Sequence, residues 1–132
     1  MKPTARNHHL NKLTDAKNTP AIKVITGVRR SGKSKLMDAF IDTLEKEENA
    51  NVIRIKLNLK EFEKLKDKEE LYKYVQDHCK KEYTNYLLVD EIQLCKDFEV
   101  IINSLHEEEK FDIYLTGSNA FLLSSDLATL FG

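Results

Sequence analysis

GVRRSGKS, residues Gly27 to Ser34, places glycine, glycine, lysine and serine at every fixed position of the spacing G-x-x-x-x-G-K-[ST]. A loop of this kind holds phosphate because consecutive backbone N–H groups point inward and a helix begins directly behind them. The amino end of that helix carries about half a positive charge, which favours an anion. Gly27 and Gly32 permit a close backbone approach that a Cβ would hinder. The flanks supply the context this spacing requires. Ile22-Lys-Val-Ile-Thr26 is a β-branched run that reads as a buried strand. Behind the loop, Leu36, Met37, Phe40, Ile41 and Leu44 recur at helical spacing and form one apolar stripe. A glycine-rich turn with an accidental lysine is the plainer alternative, and it explains neither flank.

In a loop so placed, Lys33 reaches β- and γ-phosphate oxygens, and the Ser34 hydroxyl ligates Mg²⁺, a hard ion that prefers oxygen. The nucleotide-binding set is then Gly27, Val28, Arg29, Arg30, Ser31, Gly32, Lys33, Ser34 and Lys35. Arg29 and Arg30 occupy variable positions, where an arginine holds phosphate, meets an acidic partner or turns into solvent. For at least one of them, solvent or a local ion pair is the expected environment.

Further along, strand and helix patterns alternate. Val52-Ile-Arg-Ile-Lys-Leu57 alternates apolar and basic residues, as in a strand with one wet face near a sheet edge. Lys60 to Lys66 is a charged loop or a loose helical turn. Asp67-Lys-Glu-Glu70 resembles a capping box, and Leu71, Tyr74, Val75 and Cys79 carry the helix behind it to about Lys81. Tyr86-Leu-Leu-Val89 is apolar on every residue, as expected of a strand covered on both faces. Phe98, Ile101, Ile102 and Leu105 form another helical stripe. Asp112-Ile-Tyr-Leu-Thr116 is a fourth strand, and a last helix runs from about Ala120 to Leu130. The alternation predicts an α/β fold, with a mainly parallel sheet of about four strands flanked by helices. Residues 1–20 are polar, with Pro3, Pro20 and a short helix around Leu10 and Leu13; residues 21–132 form the phosphate-loop domain.

Three polar signatures each follow directly on an apolar strand: GVRRSGKS, Asp90-Glu91 and Thr116-Gly-Ser-Asn119. Ligands of an open parallel sheet bind beyond the carboxyl ends of its strands, so a single crevice collects all three. Asp90 ends a buried strand, where an uncompensated carboxylate is costly and Mg²⁺ or its bound water would compensate it. Glu91 is the candidate base that orients and deprotonates an attacking water. A helix-capping acidic pair on a turn is the alternative. Thr116 and Ser118 suit contact with a γ-phosphate or its water, although Thr-Gly-Ser-Asn is also a good turn and helix start. Gln93 and Asn119 are secondary candidates.

Composition narrows the function classes. The 132 residues are 41% apolar and 33% charged, with a formal net charge of -1, so no overall basic field argues for nucleic acid. No apolar run is long enough to span a bilayer, and no signal-peptide core follows Met1. Cys79 and Cys95 provide neither a disulfide framework nor a zinc spacing, and His8-His9 reads as a solvated terminus. A reduced, cytoplasmic setting is the expectation.

GVRRSGKS, Leu87-Leu-Val-Asp-Glu-Ile-Gln93 and Leu115-Thr-Gly-Ser-Asn-Ala-Phe-Leu-Leu-Ser124 together resemble the AAA-type ATPase module of a large group of bacterial and archaeal ATP-binding proteins with a C-terminal domain of unknown function. The match runs from about Leu10 to the last residue. The resemblance implies a P-loop NTPase sheet, ATP and Mg²⁺ as ligands, Asp90 and Ser34 at the metal, Glu91 as catalytic glutamate, and Lys33 and Thr116 at the γ-phosphate. Such proteins continue past a Gly-Arg pair into a fifth strand beside the phosphate-loop strand and into a larger C-terminal region, the implied partner of this module. Without that strand, Ile22 to Thr26 is expected to be an edge available for self-association. An engineered fragment and a naturally short relative both fit this expectation.

The leading reading is Mg²⁺-dependent ATP hydrolysis that drives a conformational change in a larger parent protein, with weak turnover in this chain alone. Two other classes stay open: a nucleotide-binding switch or scaffold with little turnover, and a small-molecule or nucleotide kinase. The lack of an arginine-rich lid and the presence of Asp90-Glu91 count against the kinase.

Overall fold

In a computed structural model of the chain, residues 4–25 and 30–117 are described, with side chains described for residues 10–25 and 35–117. The expected helix over 120–130 and the residues Ser118 and Asn119 lie outside these. The four short strands of the sequence pair as expected: β1 (Lys23–Ile25), β2 (Ala50–Lys56), β3 (Thr84–Asp90) and β4 (Phe111–Thr116). The sheet is parallel throughout, in the order β1-β4-β3-β2. Among the described residues β1 and β2 are therefore the two edges. The burial pattern of β2 has the alternation its sequence implies, with Ile53 and Ile55 buried and Arg54 and Lys56 half-buried.

Helices cover both faces because strand side chains alternate. Leu87 and Val89 of β3 point to one face, with Val24, Ile113 and Leu115. That face is closed by α3 (Lys68–His78) and α4 (Phe98–Glu107) through Leu71, Val75, Phe98, Ile102 and Leu105. Tyr86 and Leu88 point to the other face, with Ile25 and Tyr114. There they meet α2 (Arg30–Leu44) through Leu36, Met37, Phe40 and Leu44, and α1 (Thr4–Ala16) through Leu13. The amino-terminal helix is longer than the sequence suggests. Leu13 is fully buried against the α2 side of the sheet, and Lys17, just past the helix, pairs with Glu47 beyond the end of α2. The charged stretch before α3 forms a 3-10 helix over Lys60–Lys66, anchored by Leu65.

Half of the expected capping box is present. Asp67 Oδ2 accepts from the Glu70 N–H at 3.1 Å. The reciprocal arm has no donor to use, because the Asp67 N–H is already donated to the Lys64 carbonyl at 3.3 Å where the 3-10 helix ends. Replacing Asp67 with Ala is expected to destabilise the protein by about 1 kcal/mol in chemical denaturation.

At the amino-terminal rim of the sheet sits a buried polar network. Lys23, fully buried on an edge strand, donates from Nζ to Asp112 Oδ1 at 2.5 Å and to the Thr19 carbonyl at 2.7 Å. Asp112 Oδ2 accepts from the Asn18 N–H at 2.7 Å and from the Tyr114 hydroxyl at 2.8 Å. Burial, reinforced by the Asp112 carboxylate, pushes the Tyr114 phenol far above its ordinary pKa. An open cleft of about 590 Å³ lies at this same rim, lined by Asn85, His106 and Asp112 among others. Its buried polar side chains are already engaged within the protein: Asn85 bonds the Lys80 backbone and Asn51, and Asp112 bonds Lys23. Volume alone would put a binding site here, but Asp90, Glu91 and Thr116 meet at the opposite rim, and the chemistry is the better guide.

Candidate functional site

Strand parity brings the acidic signature to the helix that follows the glycine-rich loop. Tyr86 and Leu88 face α2, so Asp90, next in that alternation, faces the same side at the carboxyl end of β3. Tyr114 faces α2 as well, so Thr116 does too. Val89 pairs with Leu115, which sets Asp90 and Thr116 side by side one step further along. Ile25 pairs with Thr116, and five residues after Ile25 α2 begins at Arg30. All of these lie at one rim of a parallel sheet, where ligands of such sheets bind.

The backbone leaves β3 sharply. Glu91 adopts a left-handed conformation, φ 57° and ψ 51°, which costs a residue bearing a Cβ energy unless neighbours hold it. Its N–H is donated to Thr116 Oγ1 at 3.1 Å. Its carboxylate Oε1 accepts from Gln93 Nε2 at 2.8 Å, on the 3-10 turn Ile92–Leu94. Thr116 is buried and Glu91 is half-buried, so the hydroxyl acts as a fixed post and the carboxylate stays within reach of water.

Asp90 is buried, and that burial raises its carboxyl pKa above the usual range despite the opposing pull of the nearby Arg54. Arg54 Nη2 donates to Asp90 Oδ2 at 2.9 Å. The second oxygen, Oδ1, is buried and finds no hydrogen-bond partner among the described residues. An anionic oxygen left in that condition is costly unless a cation or its bound water satisfies it. The donor chemistry therefore fits a hard divalent ion.

A family model described as an AAA domain matches residues 19–132. The chain belongs to this AAA domain family. An uncharacterized protein of Haemophilus influenzae is 40% identical over 129 residues, covering 96% of this chain and 32% of that protein. The chain thus spans about a third of the length of the curated relative it matches. The structure of PCH-2 from C. elegans aligns over 97% of this chain and 40% of that one, with a TM-score of 0.56 and 14% identity, a likeness of fold. The architecture is the α/β fold of AAA P-loop proteins, and the module is of the ATPase-type nucleotide-binding kind.

Of the candidate residues in this AAA domain, Asp90, Glu91 and Thr116 come together at one rim. Gly27, Val28 and Arg29 lie outside the described residues, as do the side chains of Arg30, Ser31, Lys33 and Ser34; the backbone from Arg30 onward is α2. Lys35 is exposed on that helix. Among the described residues no helix is long and apolar enough to cross a membrane. Two residues that the sequence reading passed over join the site. Arg54 of β2 pairs with Asp90, and also with Asp38 of α2 at 3.0 Å. What places Arg54 here is register: it pairs with Leu88 across the sheet and so shares its face, which the alternation of its own strand does not reveal.

Proposed function

We propose that this AAA domain binds ATP with Mg²⁺ and hydrolyses it, and that turnover drives a conformational change in the longer protein to which it belongs. The observation that carries the proposal is the Asp90 carboxylate, buried at the strand end with one oxygen unpartnered among the described residues, next to a glutamate tied to Thr116. Ser34 and Asp90 would hold the metal. When bound, Mg²⁺ neutralises charge on the β- and γ-phosphate oxygens. Lys33 adds a cation to the same phosphates, and the amides of the loop from Gly27 to Lys35 cradle them. Glu91 orients the attacking water and takes its proton, while Thr116 fixes the turn that presents Glu91 and offers a hydroxyl to the γ-phosphate.

Among the described residues none serves as an arginine finger, and such a residue is worth roughly 10³ to 10⁵ in rate, so turnover by this chain alone is expected to be slow. Binding is the first test. With a fluorescent ATP analogue and Mg²⁺, Lys33→Ala is expected to weaken affinity by roughly tenfold to a hundredfold, the value of one or two charge-assisted bonds to phosphate. Equal affinity in the two proteins would refute a phosphate site at the glycine-rich loop.

A further inference from the structure

We infer that Arg54 is a positioning residue of the proposed site: its guanidinium bridges Asp90 and Asp38, and so fixes the metal-facing carboxylate against the helix that follows the phosphate loop. The inference rests on the nucleotide-site reading above and extends it to a residue outside the family signatures.

The geometry is a fork with one carboxylate on each tine. Nη2 meets Asp90 Oδ2 at 2.9 Å, and Nη1 meets Asp38 Oδ1 at 3.0 Å. Arginine's planar, rigid donors make this possible, whereas a lysine ammonium offers a single charged point. The two limbs are unequal. The guanidinium side chain is 17% exposed and that of Asp90 8%, whereas that of Asp38 is 57% exposed. The Asp90 limb is therefore desolvated and geometrically strict. The Asp38 limb lies half in water and contributes little energy of its own. Its value is positional, because Asp38 lies one helical turn after Ser34 on α2. One side chain thus links the strand end bearing one proposed metal ligand to the helix bearing the other.

The bridge also accounts for the asymmetry within Asp90. Arg54 occupies Oδ2 and keeps the carboxylate in one orientation, which leaves Oδ1 as the oxygen presented to a metal-bound water. Arg54 reaches Asp90 diagonally, since Lys56, two residues on, is the direct cross-strand partner of Asp90. Residues that orient a metal ligand from behind are typically worth tenfold to a hundredfold in metal affinity.

The test separates metal binding from nucleotide binding in the full chain. Affinity for a fluorescent, non-hydrolysable ATP analogue is measured with Mn²⁺, which accepts the same oxygen ligands, and again in EDTA; their ratio is the metal enhancement. Arg54→Met and Arg54→Lys are both expected to lower that ratio by roughly tenfold or more, with the EDTA affinity changed less than about twofold. Asp38→Asn should give a smaller loss in the same direction. A merely structural role would weaken binding equally with and without metal, and that result overturns the inference. So does an unchanged ratio in Arg54→Met, or a ratio fully kept by Arg54→Lys, which would reduce the role to charge alone. If Arg54→Met fails to fold, Arg54→Lys and Asp38→Asn decide the question. A wild-type protein whose affinity does not respond to Mn²⁺ refutes the underlying site reading itself, an outcome visible before any variant is made.

Discussion

Glu91→Gln is expected to cut steady-state phosphate release from ATP by roughly 10² to 10⁴-fold while leaving nucleotide affinity nearly unchanged. The size follows from what the substitution removes. Gln is isosteric with Glu and keeps an oxygen that can accept from Gln93, which bonds the native carboxylate at 2.8 Å. The left-handed backbone at position 91 and the 3.1 Å bond from its N–H to Thr116 do not depend on the side-chain charge. Fold and phosphate contacts therefore survive, and only the basicity toward water is lost. Radiolabelled or coupled phosphate-release assays on wild type and variant, at saturating ATP and Mg²⁺, read the difference directly. Equal rates would reject Glu91 as the base. Tight binding with no release by either protein, even in the full-length protein, would favour the switch or scaffold reading instead.

Some of this site is legible in the sequence and some is not, for definite physical reasons. Asp90 and Thr116 are legible because each is the polar end of an apolar run. In a parallel sheet all such ends lie on one rim, and no long-range information is needed to gather them. Glu91 follows from Asp90 by adjacency. Arg54 is different. Its strand alternates Ile with Arg and Lys, as any half-solvated edge does, so a solvated arginine is the natural reading. What turns Arg54 inward is the register of β2 against β3, which pairs it with Leu88, together with the passage of α2 across that face. Neither fact is local. The same holds for α1, whose polar sequence lacks a wide apolar stripe. Its thirteen residues are helical with Leu13 docked under the sheet and Lys17, just beyond them, paired to Glu47. The strand Ile22 to Thr26 was readable as buried, yet nothing in it reveals that its lysine is buried too. That depends on Asp112, 89 residues later.

The burial of this lysine implies a large stability effect. Asp112→Ala is expected to destabilise the protein by about 3 to 5 kcal/mol, the usual cost of leaving one member of a buried ion pair without its partner. Lys23, fully buried, would keep the Thr19 carbonyl at 2.7 Å and the face of the Tyr114 ring 5.2 Å away, but no counter-charge among these. The Asn18 N–H and the Tyr114 hydroxyl would lose their acceptor at the same time. Natural domains hold only about 5 to 15 kcal/mol in total, so the urea midpoint should fall steeply. The decisive comparison is the double variant Lys23→Met with Asp112→Leu. If the penalty of the single variant comes from a stranded charge, replacing both partners with apolar groups removes that charge and should recover much of the loss. A double variant as unstable as the sum of the two single variants would mean that the pair is not coupled. A cost below about 1 kcal/mol for Asp112→Ala would mean that water reaches Lys23. This network lies at the rim opposite Asp90 and joins the end of α1 to the starts of β1 and β4. An Asp112 variant that still folds should therefore bind nucleotide with nearly native affinity, which separates the stability of the scaffold from the chemistry it carries.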